Sequence, residues 1–324
     1  MNGTNNRITR RKALKLGAGL GMGVALGPYR ALAAAGEPVS VGASGATTPK
    51  LITRPIPSSG EEIPVVGIGT ARRYNVGTSA EERDPLRNVL RSLPQMGGRL
   101  VDTAPSYGTA ETVVGDLVDE IGNREDLFLA TKVRARSVQA GVAQMEQSFS
   151  RLKTEVIDLM EVHNLAGWQE MLPVIRDWKA AGRIRYVGAT TSSSRQYDDF
   201  IAMMRKVDLD FIQVNYSLAS RTSAETILPL AADRGMAVLV NLPYGRGRLF
   251  QTVGETSLPD WATEIGCASW GQVFLKYIVS HPAVTCAIPG TAKMKYLVDN
   301  LGAATGPLPD AGLRKRMEAF YDAL

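Results

Sequence analysis

Eight short apolar runs recur along the chain, separated by longer stretches whose apolar residues fall three and four apart. That alternation constrains the fold more than any other feature. The runs are residues 65–68, 99–102, 127–131, 157–162, 184–188, 211–214, 237–240 and 284–288. Segments 111–121, 137–152, 168–181, 195–205, 224–234 and 269–279 lie between them, each long enough for a helix and carrying its spacing. Strand and helix in strict alternation predict repeated βα units around a buried parallel sheet. An open doubly wound sheet of the dinucleotide-binding kind needs GxGxxG after its first strand. Here Gly67-Ile68-Gly69-Thr70-Ala71-Arg72 stops after two glycines. Eight strands are the count of a closed (β/α)8 TIM barrel, so residues 51–324 are predicted to form one such domain. A hairpin built from 51–53 and 63–64 around Pro57-Ser58-Ser59-Gly60 precedes it, and a terminal helix over 310–324 follows.

The formal charge of +5 raises the question of a nucleic-acid or membrane partner, and the location of the charge answers it. Residues 1–35 hold Arg7, Arg10, Arg11, Lys12, Lys15 and Arg30 and no acid, and the remainder carries 31 basic against 32 acidic residues. No nucleic-acid surface is expected. A basic start, a glycine-broken apolar stretch over 16–27 and the small-residue end Ala31-Leu32-Ala33-Ala34-Ala35 have the layout of a secretory signal. The apolar stretch is shorter than the roughly 20 residues that cross a bilayer, so no stable membrane anchor is expected. Thr9-Arg10-Arg11-Lys12-Ala13-Leu14-Lys15 resembles the twin-arginine export motif, with Ala13 where a Phe is usual. Residues 1–35 are therefore predicted to be a twin-arginine signal peptide recognised by that export machinery, with cleavage near Ala33 or Ala35 and a periplasmic or otherwise exported product. Residues 36–50, rich in Gly, Ser, Ala and Thr, read as a flexible linker. Cys267 and Cys286 are the only cysteines and His163 and His281 the only histidines, so neither a disulfide framework nor a metal site is expected.

In a barrel of this type, catalytic groups project from the C-terminal ends of the strands. Asp102 closes the second run, Lys132 follows the third, His163 follows the fourth, and Tyr107 lies in the loop after Asp102. Each alone has a structural explanation as a cap, a solvated strand end, a packed ring or a core imidazole. Together they converge on one spot, where a lysine and an aspartate need each other to offset desolvation. Reduction of a carbonyl puts negative charge on its oxygen, so a proton donor must sit within hydrogen-bond reach. A free tyrosine, with a pKa of about 10, holds its proton firmly, and an adjacent ammonium is expected to lower that value. Tyr107 is accordingly predicted to be the general acid, tuned by Lys132, with Asp102 holding the lysine and His163 orienting the carbonyl oxygen.

Asp102-Thr103-Ala104-Pro105-Ser106-Tyr107-Gly108, Lys132 and His163 resemble the Asp, Tyr, Lys and His tetrad of the aldo-keto reductases in order and spacing. Gly182-Arg183-Ile184-Arg185-Tyr186-Val187-Gly188, Gln213-Val214-Asn215-Tyr216 and Ile288-Pro289-Gly290-Thr291 through Asn300 agree as well, so the likeness runs from about Leu51 to Gly302. The resemblance implies an NAD(P)-dependent oxidoreductase acting on a small-molecule carbonyl, with NADP(H) ahead of NAD(H). Carried over by position, Thr190 and Thr191 would stand in the nicotinamide site, and Gln213 would meet the carboxamide. Asn241, Pro243, Tyr244, Gly245 and Gly247 would line the ring and pyrophosphate, and Gly290, Thr291 and Asn300 the adenosine end. Lys293 or Lys295 would add charge for a 2′-phosphate. The departures lie in the cofactor site: Thr190-Thr191 replaces Ser-Asn, Asn241 stands where an aromatic commonly stacks, and Leu242 and Tyr296 replace a usual Ser and Arg. They are compatible with an alternative class, a nucleotide-binding or interaction protein on the same barrel with negligible turnover. Trp168, Trp261, Trp270 and Tyr74 are the aromatic candidates for a pocket wall.

Overall fold

The computed structural model describes residues 50–324. The signal-peptide and export readings, and the linker up to residue 49, lie outside the described residues. The strands are β1 (Thr53–Pro55), β2 (Glu62–Pro64), β3 (Ile68–Gly69), β4 (Leu100–Asp102), β5 (Phe128–Val133), β6 (Ile157–Val162), β7 (Ile184–Thr190), β8 (Phe211–Asn215), β9 (Ala237–Asn241) and β10 (Cys286–Ala287). Strands β3 to β10 run parallel in chain order, each beside the next. The seam between β3 and β10 is joined by the parallel bridges Val66↔Ala287 and Gly69↔Gly290, including Gly67 N donating to Ala287 O at 2.9 Å. This is the (β/α)8 TIM barrel that the alternation predicts. Its first and last strands are shorter than their apolar runs, because the seam pairs only through those isolated bridges.

Period-two alternation decides what faces inward. Phe128, Ala130 and Lys132 share one face of β5, and Leu159 and Glu161 share the matching face of β6. In register, Ala130 pairs with Leu159 and Lys132 with Glu161. Low in the barrel the inward positions are apolar and form one cluster with Leu100, Tyr186, Phe211, Ala237, Leu239, Cys286 and Ile288. Phe128, Tyr186 and Phe211 meet there with ring centroids 5.5–5.9 Å apart. The β1–β2 hairpin closes this floor with the fully buried Ile56 and Ile63. Moving up the same faces, the inward residues become Asp102, Lys132, Glu161 and Gln213, so the polar groups sit at the C-terminal mouth.

The outward strand faces pack on the helices in a second cluster that includes Leu129, Met160, Val187, Ile212 and Val238. Helices Ala110–Ile121, Val138–Leu152, Trp168–Ala180, Tyr197–Lys206, Ile227–Asp233 and Trp270–Val279 match the periodic segments within a few residues. Helix Ala80–Gln95 is not among the predicted segments: Leu86, Val89, Leu90 and Leu93 carry the helical spacing, but Pro85 and Pro94 lie within it. Its start is nonetheless marked by an N-cap: Ser79 Oγ accepts from Glu82 N and donates to the Glu82 carboxylate at 2.9 Å. The terminal helix is Ala311–Asp322, capped by Asp310. Among the described residues no helix is long and apolar enough to cross a membrane.

Candidate active site

The structure brings all four predicted catalytic residues to one place. Asp102 ends β4, Lys132 lies near the end of β5, and His163 follows β6 directly, so three neighbouring strands aim their side chains at the mouth. Lys132 is fully buried, and its Nζ donates to Asp102 Oδ1 at 2.5 Å and to Thr103 O at 2.9 Å. The same ammonium sits 5.6 Å from the centre of the Tyr107 ring. Tyr107 and His163 meet edge to face with centroids 6.0 Å apart, and Ser106 Oγ lies 3.4 Å from His163 Nδ1.

Electrostatics correct one expectation. Burial raises the Tyr107 phenol above its ordinary pKa; Lys132 pulls it down, while Asp102 and Glu161 push it further up. The ammonium acts in the predicted direction, but desolvation is larger and the phenol keeps its proton more firmly than a free tyrosine. Burial alone would lower Lys132, yet Asp102, Tyr107 and Glu161 outweigh it and hold the lysine charged. Burial, with Lys132 and Arg134, lowers His163 to about 3, so at neutral pH its imidazole is uncharged. Ser106 Oγ can donate to Nδ1 or accept from it; in the tautomer where it donates, the ring's proton is on Nε2, free to be given to a substrate oxygen.

One site residue is absent from the predicted set. Glu161, the cross-strand partner of Lys132, is fully buried, with Oε2 3.7 Å from Lys132 Nζ. Gln213 Nε2 donates both to Asp102 Oδ1 at 2.8 Å and to Glu161 Oε2 at 3.0 Å. Space for Glu161 comes from its partner on β7, Gly188, where an added Cβ would lie 3.0 Å from Glu161 Cγ and 3.0 Å from Phe211 O. The signal was present: two residues before His163, in period two, Glu161 must share its inward face.

The residues assigned to a cofactor line the neighbouring arc. Thr190 pairs with Gln213 in register, and its Oγ1 accepts from Asn164 N at 3.0 Å. The buried Thr191 bonds Gln196 through its hydroxyl and accepts Asn241 Nδ2 at its carbonyl, 3.1 Å away. Asn241 Oδ1 is buried with no hydrogen-bond partner among the described residues. After β9 the backbone takes positive φ at Leu242, Gly245, Arg246 and Gly247; at Gly247 (φ 94°) a side chain is strained. Pro243 is buried in this turn. Tyr244 leans on Phe250 and Phe274, and its hydroxyl donates to Asn300 Oδ1 at 2.6 Å. Asn300 Nδ2 in turn donates to Thr291 Oγ1 at 2.9 Å, tying the β9 loop to the segment after β10. Tyr244 thus spends its hydroxyl proton on Asn300, and Asn300 divides its amide between Tyr244 and Thr291. Gly290, Lys293 and Lys295 are exposed beside them, with Lys295 Nζ 4.9 Å from the centre of the exposed Tyr296 ring. A groove of about 580 Å³ runs from Asn164, next to His163, out to helix Tyr197–Lys206; it is walled by Arg134, Arg136, Asn164, Trp168, Gln196 and Lys206 among others and by none of the four tetrad residues. Trp168 is therefore a pocket wall, whereas Tyr74 and Trp261 belong to the core.

An amide oxygen at the mouth and lysines after β10 without partners among the described residues, with a glycine-dependent turn after β9, suit an extended nucleotide beside an acid–base cluster. Such a mouth fits an NAD(P)-dependent oxidoreductase barrel. The chain belongs to the aldo/keto reductase family, whose model matches residues 65–319. It is 33% identical over 214 residues to the aldo-keto reductase YhdN of Bacillus subtilis, spanning 60% of this chain and 62% of that relative. It is 28% identical to the methylglyoxal reductase YeaE of Escherichia coli, over 80% and 91% of the two chains. Among solved structures it resembles an aldo/keto reductase from Klebsiella pneumoniae in complex with NADP and acetate, with TM-score 0.70, 26% identity and coverage of 81% and 93%.

Proposed function

We propose that this chain is an exported carbonyl reductase in which Tyr107 gives the proton to the carbonyl oxygen. The observation that carries the reading is the buried Asp102–Lys132 pair beside Tyr107 and a neutral His163 at the barrel mouth. A bound nicotinamide would supply hydride to the carbonyl carbon. As charge grows on the substrate oxygen, a phenol held protonated by burial is the acid at hand, and the charged Lys132 offsets the phenolate left behind. Asp102 keeps the ammonium in place. His163 orients the carbonyl oxygen through its remaining N–H. The substrate would enter past the groove that contains Trp168 and Arg134.

For the cofactor, the surroundings of Thr190, Thr191, Gln213 and Asn241 suit the carboxamide, and the turn from Pro243 through Gly247 the pyrophosphate. Gly290, Thr291 and Asn300 shape the adenosine end. Lys293 and Lys295 have no carboxylate partner among the described residues, which favours NADP(H) over NAD(H). The leader supports export in folded form through the twin-arginine machinery, and so departure from the cytoplasm with cofactor already bound.

The deciding experiment is stopped-flow oxidation of bound NADPH against a panel of small aldehydes and 2-oxoaldehydes, the latter chosen because one relative is named a methylglyoxal reductase. Wild type should show a fast phase that Tyr107→Phe abolishes while nucleotide binding persists. A wild type no faster than the variant makes the protein a binding protein instead. N-terminal sequencing of the product from the exported fraction should begin near residue 34 or 36; an intact Met1 there refutes export by this leader.

A further inference from the structure

Glu161 has no part in the reaction just described, yet it is fully buried in the barrel mouth and touches two residues that do. An amide nitrogen has two protons, and both of those on Gln213 Nε2 are taken, one by Asp102 Oδ1 and one by Glu161 Oε2. Gln213 Oε1 consequently faces the other way, toward Asn241 Nδ2, 3.4 Å distant at the end of β9. We propose that Glu161 is a positioning residue: together with Asp102 it fixes the Gln213 amide so that its oxygen is offered as an acceptor to the cofactor's carboxamide. This rests on the reductase reading and deepens it.

The arrangement has an electrostatic condition. Two carboxyl groups share one ammonium, and Glu161 Oε1 has no hydrogen-bond partner among the described residues, which leaves it as the oxygen to carry a proton. Burial, opposed by Lys132 and reinforced by Asp102, raises Glu161 to about 8. The other charged or titratable groups facing it are Asp102 from β4, Lys132 from β5 and Tyr107 from the loop after β4. Gly188 on β7 and Gln213 on β8 add no charge, and His163 follows on its own strand. Tyr107 and Lys132 are pushed upward and His163 down to about 3, so these three stay clear of the window around pH 8. Below that window Glu161 is neutral and the lysine's charge is balanced once. Above it, the proton leaves to solvent and a buried negative charge appears at the mouth. An oxidised nicotinamide ring is positive and a reduced one neutral, so ionised Glu161 favours the oxidised form.

The test is the dissociation constants of NADP+ and NADPH, by quenching of protein fluorescence between pH 6 and 9.5. In wild type the ratio of the NADP+ constant to the NADPH constant should fall about tenfold through a midpoint near pH 8. That is the order expected of a unit charge in the same mouth at an effective dielectric of about 20. Glu161→Gln keeps the shape and an acceptor oxygen but cannot ionise; its ratio should stay flat at the low-pH wild-type value. Glu161→Leu removes the acceptor, frees the Gln213 amide to turn, and should weaken both nucleotides by about tenfold at pH 7. An inflection that survives in Glu161→Gln, or a flat wild type that still turns over, overturns the inference and leaves the reductase intact. A wild type that binds neither nucleotide overturns both.

Discussion

Replacing Lys132 with Met removes one charge, keeps most of the side chain's bulk and tests the core of the site. Two hydrogen bonds disappear, to Asp102 Oδ1 and Thr103 O, and the buried Asp102 loses the only cation paired with it among the described residues. Breaking a buried ion pair by removing one partner costs about 3–5 kcal/mol, because the remaining charge stays desolvated. At roughly 2–4 °C per kcal/mol for a domain of this size, the melting temperature should fall by about 10 °C. The chemical step loses the ammonium that offsets the Tyr107 phenolate; about 4 kcal/mol of lost transition-state stabilisation is a drop of about a thousandfold in kcat/KM. The double variant Lys132→Met with Asp102→Asn separates the two effects. Neutralising both partners should restore most of the melting temperature, since no unpaired charge remains, while activity stays low. Calorimetry and steady-state reduction of a small aldehyde supply the two readouts. A double variant with wild-type turnover, or a single variant within tenfold of wild type, would refute the assignment of Lys132.

Three further outcomes follow from other contacts. Burial lowers His163 to about 3 and His281 to about 4, both below the unfolded value of about 6.5. The unfolded chain therefore binds more protons between pH 3 and 6.5, and stability present above pH 6.5 is lost as pH falls through that range; urea midpoints at pH 7 and 5 should converge in His163→Gln with His281→Gln. Gly188→Ala should cost about 1–3 kcal/mol through the 3.0 Å clashes with Glu161 and Phe211, and an unchanged melting temperature would mean that Glu161 is not confined there. Lys276 donates to Ile265 O, Thr305 O and Pro307 O at 2.6, 2.7 and 2.9 Å. Lys276→Met, far from the tetrad in chain order, should cost about 3 kcal/mol or more in unfolding titrations while kcat is preserved.

Much of the architecture was legible before any coordinate. Eight apolar runs at regular spacing imply eight parallel strands, and Asp102, Lys132 and His163 at consecutive strand ends must converge, because chain order around a parallel barrel is spatial order. Residue alternation was enough even to place Glu161 inward, had a buried acid been sought there. The helix Ala80–Gln95 is written in the chain as well, in Leu86, Val89, Leu90 and Leu93 at helical spacing and in the Ser79–Glu82 cap, but Pro85 and Pro94 inside it argue the other way and mask it.

What the linear chain could not contain was the balance of opposing influences at a point. That an ammonium lies near a phenol follows from the motif; that desolvation outweighs it at Tyr107 depends on how much water the packed barrel excludes. Equally, Gln213 and Asn300 are amides in any reading. Only the folded arrangement commits the first to two carboxyl groups from different strands, and the second to Tyr244 and Thr291. Apart from Thr291, nine residues before Asn300, those partners stand far away along the chain, and their choice is made by distance and direction in space, which residue order does not encode locally.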